Sequence, residues 1–308
     1  MKNKTFYSHG KLLLSGEYVV LDGALSLAIP TKFGQSLVIE SAEQNTLVWR
    51  SFDETKTIWF ENDFKLKDNY NDDISKRLIQ ILNAVKDLNP EFLIEDKGLK
   101  IETHLEFPKN WGLGTSSTLI NNIAQWANID AYKLLEKTFG GSGYDIACAQ
   151  HDTAITYQLN TNNNISNQFK DNKRVVETVD FDPIFKEHLY FVHLNKKQNS
   201  RDGIKHYHEN KEHAKSAIEA INKITLKMIT CKSLEDFQEL MIQHETIISN
   251  ITKQTTVKDL LFKDFDGAIK SLGAWGGDFI MIASRHNPND YFKNRGYKTI
   301  IPYSNMVL

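Results

Sequence analysis

Residues 108–118 read Pro-Lys-Asn-Trp-Gly-Leu-Gly-Thr-Ser-Ser-Thr, residue types that suit the binding of an anion. Gly112 and Gly114 let the backbone approach a ligand where a side chain would stand in the way. Thr115, Ser116 and Ser117 follow at once and open a helical pattern through Leu119, Ile120, Ile123 and Trp126. The free N–H groups and the positive dipole end of such a helix favour phosphate. The hydroxyls can contact phosphate oxygens or a magnesium ion. A plain turn followed by a helix N-cap would use the same residues. The pattern is neither the GxxxxGK[ST] loop nor GxGxxG.

Such a loop needs a strand before it and a helix after it. Residues 99–106 alternate, with Leu99, Ile101, Thr103 and Leu105 on one face, which predicts a half-buried strand. Upstream, residues 5–60 hold short apolar runs (11–14, 18–21, 25–29, 37–39, 47–49 and 57–60) that read as strands. Ile74, Leu78, Leu82 and Val85 predict a helix over 73–88, with Asp72 or Asp73 as cap and Asn89-Pro90 as its end. Downstream, a short helix near 130–138 leads into Gly140-Gly141-Ser142-Gly143-Tyr144-Asp145. Residues 160–173 are Asn-rich and read as a surface loop between strands at 153–159 and 174–180. The C-terminal part reads as a strand, several helices, two strands around Gly273–Gly277, a helix near 287–295 and a strand near 298–302. A helix over 233–248 carries Leu234, Phe237, Leu240, Met241, His244 and Ile248 on one face, so His244 reads as packing rather than as a ligand. The order is α+β, not regularly alternating βα.

Composition narrows the partners. Lys and Arg number 37 and Asp and Glu 39, a formal net charge of -2, so no basic excess points to nucleic acid and no long single-sign block is present. Cys148 and Cys231 have no metal-ligand spacing and read as reduced thiols. Met1-Lys2-Asn3-Lys4 is followed by an apolar run of only Leu12-Leu13-Leu14, too short for a signal core. No stretch approaches the ~20 apolar residues of a membrane span. The expectation is a cytoplasmic protein acting on a small molecule; these patterns do not encode an oligomeric state.

Two further segments belong with the loop. One is His9-Gly10-Lys11-Leu12-Leu13-Leu14-Ser15-Gly16-Glu17-Tyr18-Val19-Val20-Leu21-Asp22-Gly23; the other is Gly273-Ala274-Trp275-Gly276-Gly277-Asp278. In this order the three resemble the motifs of the GHMP kinases, the superfamily of galactokinase, homoserine kinase, mevalonate kinase and phosphomevalonate kinase. The first is similar to GKxxLxGEhxVxxG, the second to PxxxGLGSSA and the third to GxGxGG. Gly141-Ser142-Gly143-Tyr144-Asp145 is similar to the "SG-x-D" segment of mevalonate and phosphomevalonate kinases, and with Ile146-Ala147 it resembles a GYDIA-type subgroup. The matches run from residue 9 to residue 279.

The resemblance implies an α+β, two-domain GHMP kinase fold. An N-terminal domain over 1–180, like ribosomal protein S5 domain 2, would bind ATP. A ferredoxin-like domain over 181–308 would supply the third motif, with the active site between the two. It also implies roles. Asp145 falls at the catalytic base and Lys11 at the active-site lysine. Gly112, Leu113, Gly114, Thr115, Ser116 and Ser117 form the phosphate loop. Ser116 falls at the magnesium ligand, with Glu136 as the nearest candidate for a second. Glu17, Ser200 (in the segment 195–203), Gly273, Gly276 and Gly277 fall on the substrate side. The implied cofactors are ATP and Mg2+, and the implied reaction is γ-phosphate transfer to a hydroxyl or phosphate of a mevalonate-pathway-like metabolite. A non-catalytic nucleotide-binding pseudokinase and an ATP-dependent diphosphomevalonate decarboxylase share the same motifs. The chain departs from the pattern in four places. His9-Gly10 stands where a proline is usual, Thr115 replaces a serine, Ser117 replaces an alanine, and the third motif carries Trp275 and one glycine fewer.

Overall fold

The computed structural model describes residues 3–42, 46–65, 70–93, 98–160, 173–196, 200–209, 214–273 and 275–308. In chain order the strands and helices begin β1 (Lys4–Ser15), β2 (Ser26–Ala42), β3 (Leu47–Phe52), β4 (Ile58–Phe64), α1 (Asp73–Leu88), β5 (Gly98–Leu105), α2 (Thr115–Ala127), α3 (Ala131–Thr138) and α4 (Tyr144–Ala149). They continue with β6 (Ile155–Leu159), β7 (Arg174–Thr178), β8 (Leu189–His193), α5 (Ser200–Glu209), α6 (Ala214–Thr230), α7 (Leu234–Thr252) and α8 (Val257–Leu261). The chain ends with β9 (Ala268–Ser271), β10 (Phe279–Ala283), α9 (Asn289–Lys293), β11 (Ile300–Pro302) and α10 (Tyr303–Met306).

The chain divides into two compact units. The first takes Met1–Gly10, Phe33–Lys109 and Leu113–Gln150; the second takes Lys11–Lys32, Asn110–Gly112 and His151–Leu308. Residue 180 therefore falls inside the second unit, and β1 and β2 pass from one unit to the other.

In the first unit the strands run β4-β3-β5-β2, with β3 parallel to β5 and the other pairs antiparallel. The alternation over 99–106 is realised: Ile101, Thr103 and Leu105 of β5 are buried. Trp49, Leu37 and Ile101 pack with Leu78, Ile81, Leu82 and Val85 of α1 and Ile120 and Ile123 of α2 in one core. Helix α1 starts at its expected cap, where Asp72 accepts from Ser75 N at 2.8 Å. Ile74, expected on the buried stripe, is 39% exposed. It lines a cavity beside α1 instead of the core.

In the second unit four strands form an antiparallel sheet in the order β11-β8-β10-β9. Numbered within the sheet this is fourth-first-third-second, with helices between the first and second strands and between the third and fourth. That is the ferredoxin-like β-α-β-β-α-β arrangement. Val192, Ile269, Ile280 and Ile282 pack on Val257, Phe262, Phe265 and Phe292. The apolar run 18–21, expected to be a strand, is a 3-10 turn over Val19–Asp22. Positive φ at Gly16 (91°), Tyr18 (63°) and Gly23 (90°) breaks the extended backbone there, so the run fills a corner and not a pleat.

Candidate active site

Helix α2 opens without a capping side chain. Its N-cap is Gly114, in the left-handed region at φ 94°, with no side chain to accept from the first turn. The Gly114 carbonyl accepts from Thr118 N at 3.0 Å and from Ser117 Oγ at 2.9 Å. The N–H groups of Thr115, Ser116 and Ser117 have no acceptor among the described residues, as the first turn of a helix requires an outside partner. Ser116 is exposed, while Ser117 and Thr118 are buried. The loop is thus built with its small hydroxyls turned inward as props and one, Ser116, turned out.

A buried amide ladder holds α2. Thr118 Oγ1 donates to Gln35 Oε1 of β2 at 2.7 Å, and Asn122 Nδ2 donates to the Gln35 carbonyl at 2.8 Å. Ser8 Oγ of β1 donates to Asn122 Oδ1 at 2.7 Å and accepts from Asn121 Nδ2 at 2.9 Å. Asn121 Nδ2 also donates to the Ala149 carbonyl of α4 at 3.3 Å, and Gln150 Nε2 donates to Asn121 Oδ1 at 3.0 Å. Asn121 therefore ties α2 to α4, the helix that carries Asp145. Asp145 lies half-buried in the first turn of α4, after Gly143 at φ 91°, and its Oδ1 accepts from Ile146 N at 3.1 Å. Glu136 is exposed on α3.

Beside the N-terminus of α2 the first unit encloses a cavity of about 580 Å³, lined among others by Trp49, Ser51, Trp59, Arg77, Thr115 and Ser116. Lys109 Nζ sits 4.0 Å from the centre of the Trp59 ring, a cation–π contact that fixes the indole. No cluster of three His, Cys, Asp or Glu side chains able to cage a metal ion exists among the described residues. An outward hydroxyl beside free amides suits a magnesium ion that arrives on phosphates and keeps most of its water.

In the second unit Lys11 Nζ donates to the Gly112 carbonyl at 2.9 Å. Gly112, at φ 69°, lies so close to Asp278 that a Cβ there would meet its carboxylate at 2.5 Å, so the glycine is demanded by clearance as well as by backbone. Gly273 and Gly276, at φ 65° and 86°, lie in the β9–β10 turn and have open space around them; their reason is backbone conformation alone. Gly277 closes the same turn. Trp275 is buried, and its N–H donates to Tyr18 Oη at 3.0 Å. The Ser200 side chain lies outside the described residues, as do residues 197–199.

Glu17, expected on the substrate side, is 1% exposed. Its Oε1 accepts from Lys270 Nζ of β9, and its Oε2 lies 3.1 Å from His244 Nε2. Lys270 also donates to the Ser271 carbonyl at 2.9 Å and lies 3.9 Å from Glu245. His244 Nε2 accepts from Gly16 N at 3.0 Å, so that nitrogen carries no proton. Burial pushes the His244 pKa well below the ordinary histidine range, with Lys270 adding to it. Burial raises the Glu17 carboxyl against the pull of Lys270, and pushes Glu245 up to about 8. Sequence reasoning placed His244 on the packed face of its helix but missed Lys270 and Glu245. The signal for Lys270 was a lysine inside the otherwise apolar strand Ala-Ile-Lys-Ser.

No family model matches the sequence, and no curated protein matches it. Solved structures do. A Lin0012 protein from Listeria innocua aligns at TM-score 0.73 with 16% identity, covering 98% of this chain and 97% of that one. The mevalonate kinase of Methanococcus jannaschii aligns at 0.70 with 16% identity, over 97% and 96%. The Streptococcus pneumoniae phosphomevalonate kinase, solved with phosphomevalonate and AMPPNP, aligns at 0.70 with 16% identity, over 99% and 98%. The chain has the GHMP kinase fold. At these identities the likeness extends to the fold and not to the substrate.

Proposed function

We propose that this GHMP-fold protein is an ATP- and magnesium-dependent small-molecule kinase. It would transfer the γ-phosphate to a hydroxyl or phosphate of a metabolite, with mevalonate-pathway compounds as the first acceptor class. The observation that carries the reading is the N-terminus of α2. Three backbone N–H groups without an acceptor among the described residues and the outward Ser116 border a cavity of about 580 Å³, the size of a small-molecule pocket.

Phosphoryl transfer asks a protein mainly for positioning and charge stabilisation. The α2 amides would hold phosphate oxygens through the helix dipole. Lys11, tied to the loop at Gly112, would offset charge on the transferred group. Asp145, oriented by the Ile146 N–H, would accept the proton from the acceptor hydroxyl. Magnesium, when bound with the nucleotide, would neutralise phosphate charge; Ser116 would be its side-chain ligand and Glu136 a second. Gly273, Gly276 and Gly277 would lie on the acceptor side, with Ser200.

The test is ATP consumption with magnesium against mevalonate, phosphomevalonate, diphosphomevalonate, homoserine and hexoses, with Asp145→Ala as control. One compound yielding Asp145-dependent ADP supports the kinase. Carbon dioxide from diphosphomevalonate would make the protein a decarboxylase. ATP binding without turnover on any compound would favour a non-catalytic nucleotide binder.

A further inference from the structure

Asn110, Trp111 and Gly112 belong to the second unit, although the chain runs from them through Leu113 and Gly114 straight into α2. The contact that holds them centres on His193, the last residue of β8, which is 3% exposed. Its Nδ1 accepts from Asn195 N at 3.2 Å. That nitrogen therefore carries a lone pair, the ring is neutral and its proton sits on Nε2. Nε2 lies 3.1 Å from the Asn110 carbonyl, which can only accept, so the imidazole donates to it.

The backbone under the ring is fixed from both sides of the sheet. His193 N donates to the Thr299 carbonyl at 3.0 Å, and Leu194 N donates to the Asp278 carbonyl at 2.8 Å. Phe279 of β10 lies opposite His193, with 5.1 Å between the ring centres. The Trp111 ring meets Phe279 edge-on at 5.3 Å. Lys11 Nζ holds the Gly112 carbonyl at 2.9 Å. Two carbonyls and one aromatic ring of this short segment are thus tied down.

Stability alone does not call for this histidine. Asn110 is exposed, so water could satisfy its carbonyl. The other buried residues of β8, Leu189, Phe191 and Val192, are apolar, and an apolar residue at 193 would avoid burying two polar nitrogens. What the imidazole adds is order. The turn into α2 carries two glycines, which lose the most conformational freedom when fixed. A helix N-terminus binds anions through N–H groups that point at the ligand, and ordering them beforehand removes that cost from binding.

We infer that His193 is a positioning residue for the anion site at the α2 N-terminus: its Nε2–H fixes Asn110 and, through the chain, the turn that presents Thr115, Ser116 and Ser117. The inference rests on the phosphate site of the proposed kinase and adds what orders that site in advance. His193 acts through the backbone of Asn110, not on the ligand.

The experiment is titration calorimetry of the full chain with inorganic tripolyphosphate and with ATP, magnesium present, on wild type, His193→Phe and His193→Gln. Phenylalanine keeps the ring packing and removes the donor; glutamine removes the ring and keeps a donor at the reach of Nε2. His193→Phe is expected to weaken both ligands about two- to tenfold, the range of one neutral hydrogen bond. It should also speed amide exchange in peptides covering 108–118 while β8 and β10 keep their protection. His193→Gln is expected to stay within about twofold of wild type on both ligands. A structural role alone would move the denaturant midpoint and leave the affinities where they were. Circular dichroism checks folding, and if only one variant folds, its own expected result decides. Wild-type affinity or wild-type exchange over 108–118 in folded His193→Phe overturns the proposal, as does a loss in His193→Gln equal to that in His193→Phe. A wild type that binds neither ligand removes the phosphate site itself and this inference with it.

Discussion

Ser116 and Asp145 differ in what holds them, and so in what their removal should do. Ser116 is exposed, and its side chain props nothing. Ser116→Ala should leave stability within about 0.5 kcal/mol of wild type, as for surface changes generally, yet reduce magnesium-dependent turnover roughly ten- to a hundredfold, the scale of one charge-assisted contact. Steady-state rates across a magnesium titration check this. Wild-type magnesium dependence would remove Ser116 from the metal site. Asp145→Ala should cut turnover by about two to four orders of magnitude, the usual reach of general base catalysis, while ATP affinity measured by calorimetry stays close to wild type. The loop itself was legible because glycine, serine and threonine at close spacing, between an alternating strand and an apolar-period helix, mark a strand–turn–helix junction. Lys270 was not. Its burial depends on Glu17, 253 residues away, and local sequence carries no trace of that partner. Glu17 itself was read by motif position, and motif position does not say which way a carboxylate faces.

At the scale of elements, α2 depends on a backbone conformation and on the amide ladder beneath it. Gly114 sits at φ 94°, where a Cβ costs about 1–2 kcal/mol. Gly114→Ala should lower the unfolding free energy by about that amount and weaken ATP binding, read by denaturant unfolding and calorimetry on the same protein. Asn121 joins α2 to α4 through Ala149 and Gln150. If the proposed roles hold, Asn121→Ala should lower kcat more than it raises KM for ATP, because the α2 N-terminus stays while α4, which carries Asp145, loses its support. A change confined to KM would argue against that role. Helices α1, α2 and α7 were readable from apolar period, since each buries one stripe, and α1 also from its cap at Asp72. The corner over Val19–Asp22 was not. Its apolar residues match a strand, and the left-handed backbone at Tyr18 is a tertiary demand.

For the whole molecule, the buried group around Lys270 links stability to pH. Glu245 has a folded-state pKa of about 8, far above that of an unfolded glutamate. The unfolded chain therefore gives up this proton first, and the stabilisation present at low pH is lost as pH rises toward 8. The raised Glu17 pulls the same way. His244 works in the opposite sense, since its depressed pKa costs stability only below about pH 6.5, where the unfolded imidazole gains a proton. Between about pH 6.5 and 8 the glutamates dominate, and the unfolding temperature should fall. Glu245→Gln should flatten that fall, as scanning calorimetry at a series of pH values would detect; an unaltered slope would mean that Glu245 is not protonated in the folded protein.

The interleaving of the two units also sets an order of assembly during synthesis. Every residue of the first unit lies within the first 150, so it can complete its core while the ribosome is still making the rest. The stretch Lys11–Lys32 emerges early but belongs to the second unit, and its partners Thr225, His244 and Lys270 are translated much later. At about 5–20 residues per second, Leu12-Leu13-Leu14 and Val19-Val20 wait roughly ten seconds or more without their burial sites. The first motif of this kinase fold thus waits, during synthesis, for partners made some two hundred residues later.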